Sequence, residues 1–238
     1  MNPSMPQTTM APVTMNKIAT ELIGSNSFRM LKVNLAPRQT ITVEPGLMAS
    51  QNTQINCVTE MNGNILSALG SKIFGGESFF INHYTNKGSK TADLYVTQTT
   101  PGDMFEKQMN GETLFIEAGA FIARTSGIKC QTVWAGFTSL FAGEGLFRLK
   151  YSGHGTLWFG SYGAVFEKEI NGDLIVDSGH LVAYPPHMKL KLKLAGGLFS
   201  SIFSKEGFVL KISGQGKIIL QTRSVKGLAD WLNARFWG

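Results

Sequence analysis

One motif occurs three times in this 238-residue chain, and that repetition constrains the fold more than any other feature. Gly76-Glu77-Ser78-Phe79-Phe80, Gly143-Glu144-Gly145-Leu146-Phe147 and Lys205-Glu206-Gly207-Phe208-Val209 each open a short apolar run. Each run leads into a glycine-bearing segment expected to turn: Thr85-Asn86-Lys87-Gly88, Ser152-Gly153-His154-Gly155 and Ser213-Gly214-Gln215-Gly216. The glutamates recur at intervals of 67 and 62 residues, so the sequence reads as one structural unit copied three times.

A second repeated phrase supports the first. Phe105-Glu106-Lys107-Gln108-Met109-Asn110-Gly111 matches Phe166-Glu167-Lys168-Glu169-Ile170-Asn171-Gly172. Each is followed by an acid, a small residue and glycine, Glu117-Ala118-Gly119 and Asp177-Ser178-Gly179. The first third has the shorter counterpart Glu44-Pro45-Gly46-Leu47-Met48-Ala49.

The local chemistry of the units is β. In Phe147-Arg148-Leu149-Lys150-Tyr151 and Val209-Leu210-Lys211-Ile212, apolar and basic residues alternate, which puts one kind on each face of a strand. Asn110-Gly111 and Asn171-Gly172 are short-range hairpin signals, and Gly, Asn and Asp punctuate the chain about every ten residues, as in a sandwich, barrel or prism. An all-β body follows, with no place for a long helix.

The repeats, roughly 60 residues each, are too small to bury separate cores, so residues 17–224 are expected to form one domain with units near 28–100, 101–160 and 161–224. With 43% hydrophobic and 16% charged residues, the chain has the composition of an ordered globular protein. No apolar run approaches the length of a spanning helix. Cys57 and Cys130 match no metal spacing and point to a reduced, cytoplasmic setting. Residues 1–16 have neither the basic start nor the apolar centre of a signal peptide. They read as a flexible tail, or as an arm held extended by Pro3, Pro6 and Pro12 along a neighbouring subunit.

Taken in order, Glu44-Pro45-Gly46, Gly76 to Phe80, Gly143 to Phe147, Val176 to Ala183 and Gln221-Thr222-Arg223 resemble the bacterial and mitochondrial-biogenesis family related to the tryptophan RNA-binding attenuator protein. The resemblance covers residues 28 to 224, with Lys205 departing from the glycine that precedes Glu77 and Glu144. It implies three TRAP-like units, each a short double-stranded β-helix, around a pseudo-threefold axis. It implies no mechanism.

Catalysis finds no support in the motifs. His-Glu-x-x-His, Gly-x-Ser-x-Gly, Cys-x-x-Cys and the phosphate-cradling glycine loop are all missing, so a non-enzyme without cofactor or metal is expected. Of the four histidines, His83, His154, His180 and His187, none has a partner at ligand spacing within one element. Threefold repetition could bring Glu77, Glu144 and Glu206, or Glu44, Glu117 and Asp177, near one axis, where converging carboxylates would favour a hard cation. The simpler role for each acid is anchoring its own turn through backbone amides.

The net charge of +6, from 22 Lys and Arg against 16 Asp and Glu, favours phosphate surfaces if the excess is clustered. Lys189, Lys191 and Lys193 alternate with Leu190 and Leu192 and so share one strand face. That face is either a lysine-guarded edge or a contact for anionic lipid or RNA. RNA is the weaker partner because Met and Leu stand where base-stacking aromatics would be needed, and no DNA contact is expected.

An interaction role has the broadest support. Apolar segments precede the three glutamates and carry Phe74, Trp134 with Phe141, and Phe199 with Phe203. Equivalent loops share one end of a threefold body, so these residues form either a partner or membrane face or the plugs that seal the core. In the tail 225–238, Leu228, Trp231, Leu232, Arg235 and Phe236 follow helical spacing, which predicts a short amphipathic helix. Trp231, Leu232 and Phe236 would dock on the same chain, a neighbouring subunit or a lipid interface. The sequence thus describes a non-enzymatic scaffold or interaction protein, oligomeric through self-association or bound to another protein, and peripheral to anionic membranes; RNA binding is the alternative.

Overall fold

The computed structural model describes residues 17–61, 80–117, 119–134, 147–194 and 208–236. Strands dominate. The first third holds β1 (Ala19–Ile23), β2 (Met30–Leu35), β3 (Thr40–Val43), β4 (Met48–Gln51), β5 (Ile55–Met61), β6 (Phe80–Asn86) and β7 (Ala92–Val96). Next come β8 (Met104–Ile116), β9 (Phe121–Arg124), β10 (Ile128–Trp134) and β11 (Phe147–Gly160). The last third holds β12 (Val165–Asp177), a 3-10 turn at Ser178–His180, β13 (Leu181–Tyr184), β14 (Lys189–Leu194) and β15 (Phe208–Gln221), and the chain continues into α1 (Val225–Phe236).

Alternation builds the strands as expected. In β2, Leu31, Val33 and Leu35 are buried while Met30, Lys32 and Asn34 are half-buried on the opposite face. Burying each such side chain contributes roughly 1.5–3 kcal/mol, which a half-buried strand needs to offset the entropy of ordering its backbone.

The glycine segments behave differently from the turns expected of them. Asn110-Gly111 and Asn171-Gly172 lie inside β8 and β12, and Ser152 to Gly155 and Ser213 to Gly216 lie inside β11 and β15. Asn110 pairs with His154, and Asn171 with Gln215, so these are ladder positions and not hairpin tips. The glycines serve a close approach: a Cβ on Gly153, at φ +126°, would stand 2.2 Å from the Gly127 carbonyl oxygen. Long strands therefore continue where two-residue turns were expected, and β8 absorbs a bulge there between its pairings with Ser152 and His154.

The long strands β11 and β15 are each shared between two groups of partners. The first half of β11 pairs with β10 and with the end of β8, and its second half pairs with β9 and with the start of β8. In the last third, β15 pairs in the same way with β14, β12 and β13. In the first third the corresponding strands are broken, so β5 and β3 pair with β6 while β2 and β4 pair with β7. β1 adds an outer strand on β2.

Two short junctions join the thirds. Thr42 and Val43 of β3 pair with Arg124 and Ala123 of β9, and the Glu44 amide donates to the Ile122 carbonyl at 2.9 Å. Phe115 and Ile116 of β8 pair with Tyr184 and Ala183 of β13, and the Glu117 amide donates to the Val182 carbonyl at 2.9 Å. The first junction thus joins strands of the first and second thirds into one continuous sheet, and the second does the same for the second and third. Among the described residues no strand of the last third pairs with one of the first, and the sheets are open at β4 and at β12. Three clusters of buried side chains follow the chain, one per third, and the first also takes in Ile122, Ala123 and Trp158 across its junction.

Candidate interaction surface

The basic strip forms as the period-two pattern requires. Lys189, Lys191 and Lys193 project to solvent from β14, while Leu190 and Leu192 turn inward against Leu210 and Ile212. On the same outer face β15 supplies Ser213, Lys211 and Val209, and β12 supplies Asp173, Ile175 and Asp177. Lys191 lies directly opposite Lys211, an unfavourable cross-strand pair. Asp173 relieves it. Its carboxylate contacts Lys211 and accepts from Ser213 Oγ at 2.6 Å. The bonds from Lys211 and Ser213 hold its pKa below the ordinary aspartate range. Four lysines share this face with the two carboxylates of Asp173 and Asp177, so it is net positive.

α1 begins next to this face. The Ser224 side chain packs at Gly179, in the turn whose amide donates to Asp177 at 3.1 Å, and Asp177 lies opposite Val209, itself opposite Lys193. Ser224 caps the helix by accepting from the Gly227 amide at 3.1 Å. At 100° per residue, Val225, Leu228, Trp231, Leu232, Arg235 and Phe236 fall within one arc, with Lys226, Asp230 and Asn233 opposite. Most of that arc is exposed, with Leu232 half-buried. Trp231 is 51% exposed, Phe236 is 68% exposed and no residue of the helix is buried. The Arg235 guanidinium stacks over the Trp231 ring at 4.0 Å, and Lys226 pairs with Asp230 at 2.5 Å.

Of the other residues singled out in the sequence, Phe74, Phe141, Phe199 and Phe203 lie outside the described residues, as do Glu77, Glu144, Glu206 and the segment 1–16. Trp134 ends β10 opposite Phe147, and its side chain is likewise outside them. Asp177 anchors its turn through Gly179, while Glu44 and Glu117 use their amides at the two junctions. His180 donates from Nδ1 to the Gln221 carbonyl at 2.8 Å, and His187 donates from Nε2 to the Gln215 carbonyl at 2.9 Å. His83, which carried no sequence signal of its own, sits between Thr42 Oγ1 at 3.0 Å and Glu60 Oε2 at 3.4 Å. Thr42 is itself buried.

The sequence pattern of the family described as mitochondrial biogenesis AIM24 matches residues 20–223, from the second residue of β1 to the last residue but one before α1. The chain belongs to the AIM24 family. An uncharacterised protein of Streptococcus pyogenes serotype M6 is 24% identical over 226 residues, covering 91% of this chain and 90% of that protein. The crystal structure of a Streptococcus pyogenes protein superposes with a TM-score of 0.74 at 23% identity, covering 92% of this chain and 99% of the other. This second likeness speaks to the fold alone. The family match stops at residue 223, before α1 begins.

Proposed function

We propose that this AIM24-family protein is a non-catalytic interaction protein that lies on anionic membrane surfaces. Its three thirds would act as related TRAP-like units about a pseudo-threefold axis left open between the last third and the first, presenting α1 and the basic strip on one side. The observation that carries the reading is the exposed Trp231 on the apolar arc of α1, a helix whose start packs at the Asp177–Gly179 turn, two strands across the sheet from Lys193. An amphipathic helix with Trp and Phe on its apolar arc enters the boundary between headgroups and acyl chains, and lysines near it add about 1 kcal/mol each against an anionic leaflet. Arg235 stacked on Trp231 suits the same depth, because its stem lies along the ring while its charge stays at the headgroups. No helix among the described residues is long and apolar enough to cross a bilayer, which fits peripheral attachment.

Co-sedimentation with phosphatidylcholine vesicles, with and without phosphatidylserine, tests the reading. The intact chain should pellet with the anionic vesicles. Trp231→Ser with Phe236→Ser should abolish pelleting while the thermal transition stays unchanged, since neither ring is buried. Replacing Lys189, Lys191 and Lys193 by Gln should weaken binding by about a hundredfold at low salt and by less at high salt. Pelleting of the double variant equal to that of the intact chain would remove the helix from the account. Salt-sensitive binding to single-stranded RNA, with none to vesicles, would favour the RNA alternative instead.

A further inference from the structure

We infer that the open side of β4 and the free end of β12 are two halves of one interface, completed by a second copy of this chain. The argument rests on the two junctions inside the molecule, which share a register. In each, an acid donates its amide across the junction, and the two residues before it pair with the last two residues of a short strand: Glu44, Val43 and Thr42 onto β9, and Glu117, Ile116 and Phe115 onto β13. Asp177, Val176 and Ile175 are the corresponding donor residues at the end of β12. Ala49, Ser50 and Gln51 of β4 are the corresponding acceptors, because β4 pairs with β7 as β9 pairs with β11 and β13 with β15.

Burial marks both halves as incomplete. Phe121, Ile122 and Ala123 of β9 and Leu181, Val182 and Ala183 of β13 are all buried by their junctions and cores. Met48 is 41% exposed, and Ala49 and Ser50 beside it are exposed too. On the donor side, Phe115 stacks on Tyr184 across its junction with ring centroids 5.3 Å apart, whereas Ile175 in the corresponding place is 55% exposed. Among the described residues the β4 edge is unprotected. Met48-Ala49-Ser50-Gln51 carries no charge and no proline, in contrast to β14, where three lysines stand at the opposite border of the last sheet.

Joining the β12 end of one copy to the β4 edge of the next would extend β14, β15 and β12 through β4, β7, β2 and β1 in one continuous sheet, the same construction that both internal junctions use. The contact is head-to-tail, so the rotation between copies sets whether the assembly closes into a ring or runs on as a filament.

Light scattering behind size-exclusion chromatography, on the full chain over a concentration series, tests this together with two variants. Ile175→Lys charges the donor end at an already exposed position. Ala49→Pro removes an amide at the residue that the β4–β7 register skips. The unmodified chain should assemble as concentration rises, and each variant should stay a monomer with an intact thermal transition. An equimolar mixture of the two should give a heterodimer and nothing larger, because each retains one good half. A monomeric unmodified chain at every concentration, or variants that assemble as it does, would overturn the inference. Hydrogen exchange on the unmodified chain decides without any variant. Protection of residues 48–51 and 174–177 that grows with concentration supports the interface; protection already complete in the monomer means that the chain closes on itself, and the inference fails.

Discussion

Asn86 does in the first third what glycine does in the others. It follows Thr85 as Gly153 follows Ser152 and Gly214 follows Ser213, but here the strand ends and the chain must turn. The side chain is fully buried and donates through Nδ2 to the Leu35 carbonyl at 2.7 Å and the Lys90 carbonyl at 2.8 Å, while Oδ1 accepts from the Gly88 amide at 2.9 Å. Asn86→Ala leaves buried partners without bonds, and the expected loss is about 3 kcal/mol, read from denaturant unfolding. Two residues earlier on the same buried face of β6, Tyr84 reports alkaline pH. Burial first, and then its hydrogen bond with Cys57, push its hydroxyl from 10.0 up to about 12. The folded protein thus holds this proton more tightly than the unfolded chain. The resulting stability is complete below pH 10 and falls as pH rises from there through about 12, with a limiting slope of about 1.4 kcal/mol per pH unit. Tyr84→Phe should flatten that part of the decline when thermal midpoints are compared across the range.

At the scale of elements, the β14–β15 ladder makes the clearest electrostatic prediction. Lys191→Glu would replace a like-charge pair with an attractive one across from Lys211, and the thermal midpoint should rise by the equivalent of roughly 0.2–1 kcal/mol. The elements were also where the sequence was most legible. Alternation located β11, β14 and β15, and helical spacing located α1, because both signals are local and follow from which face is buried. The glycine phrases were legible as repeats and misleading as turns. Asn-Gly fits a tight hairpin and a sharply bent strand equally well, and partners far along the chain, His154 for Asn110 and Gln215 for Asn171, make the difference. The candidate surface was legible in part for the same reason. The alternating lysines announce their shared face, but nothing local tells Lys193 that α1 starts two strands away, or tells β4 that its outer side goes without a partner.

At the scale of the whole molecule, the thirds are linked by shared sheets and not by linkers. The end of β8 is paired on one side by β13 of the last third, and β9 is paired by β3 of the first. A fragment of residues 101–160 therefore loses a neighbour on both sides, and circular dichroism should find it without a cooperative thermal transition. The same interleaving governs how the chain comes off the ribosome. Met104 pairs with Gly160, so the start of β8 waits for nearly the whole of the second third before its ladder forms, and the end of β8 waits longer still for β13. At about 5–20 residues per second, each unmatched strand spends on the order of ten seconds in a nascent chain with its edge open. Early stretches of this protein are thus most exposed to mispairing during synthesis, and a holding chaperone should raise the yield of native chain more than a change of refolding temperature would.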